Sequence, residues 1–110
     1  MKYLCLEYGE EPQVREIDDL ERLESAVILK ASARHIRSET LESVDTATTV
    51  RVRDGRLSVT DGPFAATKDQ LVGFHLFEAR RLEEAIQLAA MIPTAKVGCV
   101  ELRPIRQLRK

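Results

Sequence analysis

Two alternating runs of apolar and polar residues flank Asp54-Gly55 in the stretch from Thr46 to Phe64, TATTVRVRDGRLSVTDGPF. That dipeptide favours a two-residue turn with positive φ at both central positions, which matches strand twist. Pairing then follows by arithmetic: Arg53 faces Arg56, Val52 faces Leu57, Arg51 faces Ser58, Val50 faces Val59 and Thr49 faces Thr60. Val50, Val52, Leu57 and Val59 share one face, and the other is polar or charged. A slip of one residue would mix the faces, so the register is well specified. Such a ribbon is marginal alone and needs a core beneath its apolar side. Asp61-Gly62-Pro63-Phe64 ends the second strand. Gly62 tolerates unusual φ, Pro63 cannot donate to a ladder, and Asp61 can bond nearby backbone N–H groups. The pattern predicts a structural corner with Phe64 plugging the core. The alternative makes Asp61 a proton acceptor or ligand anchor at a strand end.

The same periodicities divide the rest of the chain. Met1 to Tyr8 reads as a strand with Leu4, Leu6 and Tyr8 on one side and Tyr3, Cys5 and Glu7 on the other. Gly9 to Gln13 reads as a loop. Ile17 to about Ile36 reads as a helix capped by Asp18 or Asp19, with Ile17, Leu20, Leu23, Val27 and Ala31 as its apolar stripe. His35 then falls at the helix end as a solvated or carbonyl-capping residue. Ser38 to Val44 is a second strand or extended link. Gln70 to Glu78 is a strand with Leu71, Gly73, His75 and Phe77 on one side and Val72, Phe74 and Leu76 on the other. Arg80 to Ile92 is a second helix ended by Pro93, with Leu82, Ala85, Ile86 and Ala89 inward. Lys96 to Leu102 is the last strand. The order is β-α-β-(β-hairpin)-α-β, an antiparallel α+β sheet with both helices on one face.

Length and composition fit one domain: 110 residues, 44% apolar and 32% charged. The formal net charge of −1 gives no dedicated nucleic-acid surface. No apolar run is long enough to span a membrane, and glutamates stand where a signal peptide would continue, so a cytoplasmic location is expected. Cys5 and Cys99 sit inside strands and read as reduced thiols. No CxxC, HExxH, Walker A or dinucleotide-binding glycine pattern is present, the two histidines lie forty residues apart, and neither a metal nor another cofactor is expected.

TATTVRVRDG, TDGPFAATKDQLVGFHLFEA and the closing P-x-A-K-x-G-x-VELRPI together resemble the DGPF branch of the YCII-related family, over roughly residues 1–105. Residues 106–110 form a basic tail, read as a solvated end. The resemblance implies a ferredoxin-like domain that pairs into a dimeric α+β barrel, of the kind found in bacteria. Some members of the branch are encoded beside or fused to extracytoplasmic-function sigma factors. Fusion is excluded within this chain, which has no helix-turn-helix segment. The wider family carries a His in the first helix and an Asp before a Pro at the end of the second, as an acid–base dyad. Here Met91-Ile92-Pro93 offers no acid and Ile17 to Lys30 no His, so the dyad does not carry over.

The pattern also argues for self-association independently. The strands at 3–8, 71–77 and 97–102 are apolar on both faces, whereas a sheet open to water on one side alternates. The helices cover only one face, so a homodimer through the open sheet face is expected, each partner burying on the order of 800 Å² or more. Chemistry would then lie in a cleft between the sheets. Asp61 and His75 are its candidate acid–base residues, and Tyr8, Arg51, Asp61, Phe64 and His75 its candidate ligand contacts, with Glu7 also nearby. His75 stands out because an imidazole suits proton transfer and because Gly73, two residues earlier, leaves space. Two functions compete: a non-catalytic module binding a small molecule or protein partner, linked to sigma-factor regulation by gene context, and a small isomerase-, lyase- or dehalogenase-type enzyme using Asp61 or His75.

Overall fold

The computed structural model describes residues 1–32 and 34–109. Six strands and three α-helices follow one another: β1 (Lys2–Gly9), α1 (Glu11–Arg15), α2 (Asp19–Ser32), β2 (Arg34–Thr40), β3 (Thr48–Arg53), β4 (Arg56–Asp61), β5 (Gln70–Glu78), α3 (Leu82–Ala89) and β6 (Cys99–Pro104). Short 3-10 turns occupy Val44–Thr46 and Pro93–Lys96. Four strands form one antiparallel sheet in the order β2-β5-β1-β6, while β3 and β4 pair separately. The arrangement is α+β and compatible with a ferredoxin-like fold, with the β3–β4 ribbon inserted between the second and third sheet strands.

The ribbon has the expected register, from Thr49 opposite Thr60 to Arg53 opposite Arg56. Asp54 and Gly55 carry the positive φ values, 52° and 74°, that the tight turn demands. Gly62 follows at φ 93°, its N–H donating to the Ala47 carbonyl at 2.7 Å. The expected core beneath the ribbon is missing. Val50, Val52, Leu57 and Val59 are all exposed, and Phe64, read as a core plug, is 79% exposed. Pairing and turn chemistry set the ribbon's shape, and its apolar side is left exposed.

Four element boundaries differ from the sequence reading. Glu11 to Arg15 forms a helical turn rather than a loop, with Pro12 in its first turn, where a missing N–H costs nothing. α2 stops at Ser32, and Arg34–Thr40, read in part as helix, is an edge strand on β5. The predicted helix also took in Ala33, which lies outside the described residues, as does Lys110 of the tail. Over Arg34–Thr40, pairing with β5 overrides local helix preference. Finally, α3 is shorter at both ends than predicted, and β6 starts at Cys99 rather than Lys96.

The core lies between the sheet and the helices. Tyr3 and Cys5 of β1, Phe77 of β5, Leu29 of α2 and Ala85, Leu88 and Ala89 of α3 form it with Ala79 and Ile92, and Val100 and Leu102 pack against them. α2 is rotated from the predicted face. Leu29 is buried, whereas Leu20, Leu23 and Val27 point outward. In α3, Ala85 and Ala89 are inward as expected, but Leu88 replaces Leu82 and Ile86. Asp18 Oδ1 accepts the Leu20 N–H at 3.1 Å, the cap expected for α2. Burying a side chain the size of Phe77 contributes about 1.5–3 kcal/mol.

β6 approaches β1 so closely that Gly98 has no room for a side chain: an added Cβ would collide with the Tyr8 carbonyl oxygen and come within 2.9 Å of Gly9 Cα. Both obstacles are backbone. Gly98→Ala should therefore destabilise the domain by about 1–3 kcal/mol, as overpacking does, read as a lower midpoint in urea unfolding.

Candidate functional site

Glu7 sits mid-strand in β1 with only 3% of its surface exposed. A carboxylate placed there must find donors. Thr94, fully buried in the 3-10 turn after α3, donates its Oγ1–H to Glu7 Oε1 at 2.6 Å. His75 of β5 places Nε2 3.4 Å from Glu7 Oε2. On its other side His75 Nδ1 lies 3.5 Å from Nε2 of His35, the ring planes being 71° apart. Among the described residues no buried side-chain nitrogen or oxygen is left unpaired.

Three elements make this possible. β1 pairs with β5 so that Glu7 stands opposite Gly73 and Cys5 opposite His75, putting both polar groups on the helix-facing side. Gly73 leaves space, but Glu7 fills it: a Cβ at residue 73 would lie 2.6 Å from Glu7 Oε2. Pro93 starts the turn that aims Thr94 at the carboxylate. The edge strand β2 brings His35 alongside, which a helix ending there would not have done.

Burial alone would raise the Glu7 carboxyl, but hydrogen bonds from His75 and Thr94, aided by the charges of His75 and Arg22, outweigh it and hold Glu7 below its ordinary range. Burial, then His75, then Lys30 push the His35 imidazole down, favouring its neutral form. The Cys5 thiol, in the core beside Glu7, is pushed up to about 12 by burial and by the carboxylate, so it is inert as a nucleophile. His75 thus has Glu7 Oε2 at one ring nitrogen and His35 Nε2 at the other.

Beside the pair opens a cavity of about 220 Å³. Glu7 and His75 form one wall, Arg22, Leu23, Ser25 and Ala26 of α2 another, and Ser38, Glu39 and Thr40 of β2 a third, with Ile92 and Pro93 beyond. It can take a compact polar molecule, with a cation, a carboxylate, hydroxyls and an imidazole at hand.

The sequence candidates separate. His75 reaches this cavity, whereas Arg51, Asp61 and Phe64 are exposed on the ribbon and its corner and do not line it. Asp61 and His75 are thus not brought together. Tyr8 lies half-buried on the opposite, open face of the sheet. Nor does His75 face that open side, where an intersheet cleft would lie; it points toward α2. Thr94, Arg22 and the partnership of His35 with His75 escaped the sequence reading. The one available signal was Pro93-Thr94 itself, a hydroxyl next to the proline that ends the second helix.

The YCII-related domain profile matches residues 1–109. The chain belongs to the YCII-related family. An uncharacterized protein of Rhizobium meliloti is 43% identical over 61 residues, 54% of this chain and 49% of that protein, so the chain spans about half the length of this relative. Ile92 stands before the proline that follows α3 and lines the cavity, and the acid beside His75 comes from β1. Among the described residues no cluster of three or more His, Cys, Asp or Glu could hold a metal ion, and no helix is long and apolar enough to cross a membrane.

Thr94→Val keeps the shape of the side chain but removes a donor from a buried carboxylate. It should cost about 1–3 kcal/mol at neutral pH. The stabilisation from Glu7 is complete above its ordinary pKa of 4.5 and is lost as pH falls through its lower folded value. Without Thr94 the folded value rises toward 4.5, so the acid-side loss is smaller and is complete at higher pH. Thermal melts of both proteins, from about pH 7 down to about pH 3, check the shift.

Proposed function

We propose that this YCII-related chain is a small-molecule-binding domain whose ligand enters the cavity beside Glu7 and His75. The observation that carries the reading is the preassembled pair on the cavity wall. His75 is oriented by a buried carboxylate that is itself fixed by Thr94, and Arg22 and Ser25 face it across the cavity. Such preorganisation lowers the cost of ordering polar groups when a ligand binds. The volume suits a compact molecule, smaller than the ligands of typical drug-sized pockets.

A proton-transfer role is the second reading, and one contact favours it. The His75–His35 distance of 3.5 Å is the longest in the chain of contacts. A ligand that displaces His35 would meet His75 Nδ1 directly, with Glu7 stabilising the imidazolium that forms on proton uptake.

The domain is further proposed to pair through its open sheet face, as in a dimeric α+β barrel. Leu4, Leu6, Phe74 and Leu76 lie on the two central strands of that face, opposite the helices. The ion pairs Arg37–Glu39 on β2 and Arg103–Glu101 on β6 flank them at the sheet edges. An apolar centre with a charged rim is the anatomy of an interface.

Two experiments test these readings. Ring nitrogens of His75 and His35, observed by NMR, should shift with at least one member of a panel of inorganic phosphate and short-chain hydroxy acids. Arg22→Met or His75→Ala should weaken that binding by about tenfold, the worth of one hydrogen bond to a charged group. Equal affinity in both variants would rule the site out. Deuterium appearing in the bound acid, and vanishing in His75→Ala, would select proton transfer over binding alone. For the interface, Phe74→Asp should yield folded monomers in sedimentation, whereas an unchanged dimer would refute pairing through this face.

A further inference from the structure

Two apolar surfaces lie bare at opposite parts of the chain. One is the ribbon face, where Val50, Val52, Leu57 and Val59 are 60–68% exposed. The other is the outward stripe of α2, where Leu20, Leu23 and Val27 are 59–66% exposed. Each is the most regular apolar pattern of its element, and neither is covered by the described residues. The ribbon is rooted beside α1, where Glu11 accepts from Val44 N at 2.6 Å and Ser43 Oγ at 2.9 Å, and β3 and β4 pack chiefly on each other.

We infer that the ribbon of one chain packs its apolar face on the α2 stripe of a second copy. The dimensions agree: six-residue strands span about 20 Å, and a fourteen-residue helix spans about 21 Å. The charges agree as well. The ribbon carries Arg51, Arg53 and Arg56 against Asp54 and Asp61, while α2 carries Asp19, Glu21 and Glu24 against Arg22 and Lys30, so the two elements have opposite net sign. Because the two surfaces differ, a two-fold axis repeats the contact and closes it, each ribbon reaching the other chain's helix. Two such contacts bury on the order of 1,000 Å² of mainly aliphatic surface, the lower bound for a specific interface. α2 and the open sheet face lie on opposite sides of the sheet, so the contacts do not compete.

The contact also bears on the cavity. Leu23 belongs both to the stripe and to the cavity wall, so a ribbon seated there lies across the mouth of its partner's cavity. The docking stands whether or not the cavity binds a ligand.

Cross-linking tests it. In a Cys99→Ser background, two differently tagged full-length chains are co-expressed, one carrying Val52→Cys and the other Val27→Cys. Oxidation should join the two tags. Ser58→Cys, on the polar face of the ribbon, should not join to Val27→Cys. No joined species, or equal yields from Val52→Cys and Ser58→Cys, overturns the inference. Leu57→Glu supplies a second measurement: it should raise the dissociation constant of the assembly by about tenfold or more with an unchanged melting profile for the separated chain. An unchanged constant overturns the inference equally.

Discussion

A carboxylate buried in the second layer of a two-layer domain constrains everything around it. Glu7 cannot be solvated there, and leaving it without donors would cost several kcal/mol. Its two oxygens therefore dictate three other elements: a turn after α3 that delivers the Thr94 hydroxyl, a strand that delivers His75, and a glycine opposite that leaves room. The cavity opens between these groups and α2. Chemistry and folding thus rest on the same side chain. The neighbouring Cys5 is held protonated chiefly by burial and secondly by the same carboxylate charge.

How far the sequence disclosed this depends on whether a signal was local. The ribbon's register came out residue for residue, because Asp54-Gly55 and the alternation on either side are short-range facts. β5 was bounded correctly for the same reason. β2 was not. Arg34 to Thr40 is largely polar, and its extended form comes from β5, about forty residues away in sequence. The face of α2 was misjudged for a different reason. Both sides of the helix carry large aliphatics, and the more regular row, Leu20-Leu23-Val27, is the outward one. Periodicity detects an amphipathic face without saying what it packs against.

The site followed the same rule. Glu7 and His75 were visible as polar breaks in apolar strands, but their encounter requires the β1–β5 register, which no local pattern fixes. His35 was placed at a helix end, and correcting that one boundary is what makes it a partner of His75. Thr94 had a single faint mark, the proline before it, and a threonine after proline reads first as an ordinary turn residue. Asp61 drew attention through its motif, yet the motif's work is backbone geometry at the ribbon's end, where Gly62 bonds Ala47 and Thr49 Oγ1 donates to the Gly62 carbonyl at 2.8 Å.

The remaining question is why a chain of this size carries so much aliphatic surface that its own core does not use. Its extents of 45 × 43 × 18 Å describe a plate one sheet and one helix layer thick. A plate has two broad faces and a long perimeter, and only the plane between its layers is dry. Apolar residues on the open sheet face, on the outer side of α2 and on the ribbon are then not independent oddities. They are the three places where a two-layer plate has no third layer of its own. In the proposed assembly a second copy would supply the missing layers: a like sheet face for the sheet, a ribbon for the helix and a helix for the ribbon. A ligand in the His75 cavity would then sit at a position whose outer wall, Leu23, belongs to the surface proposed to meet another chain.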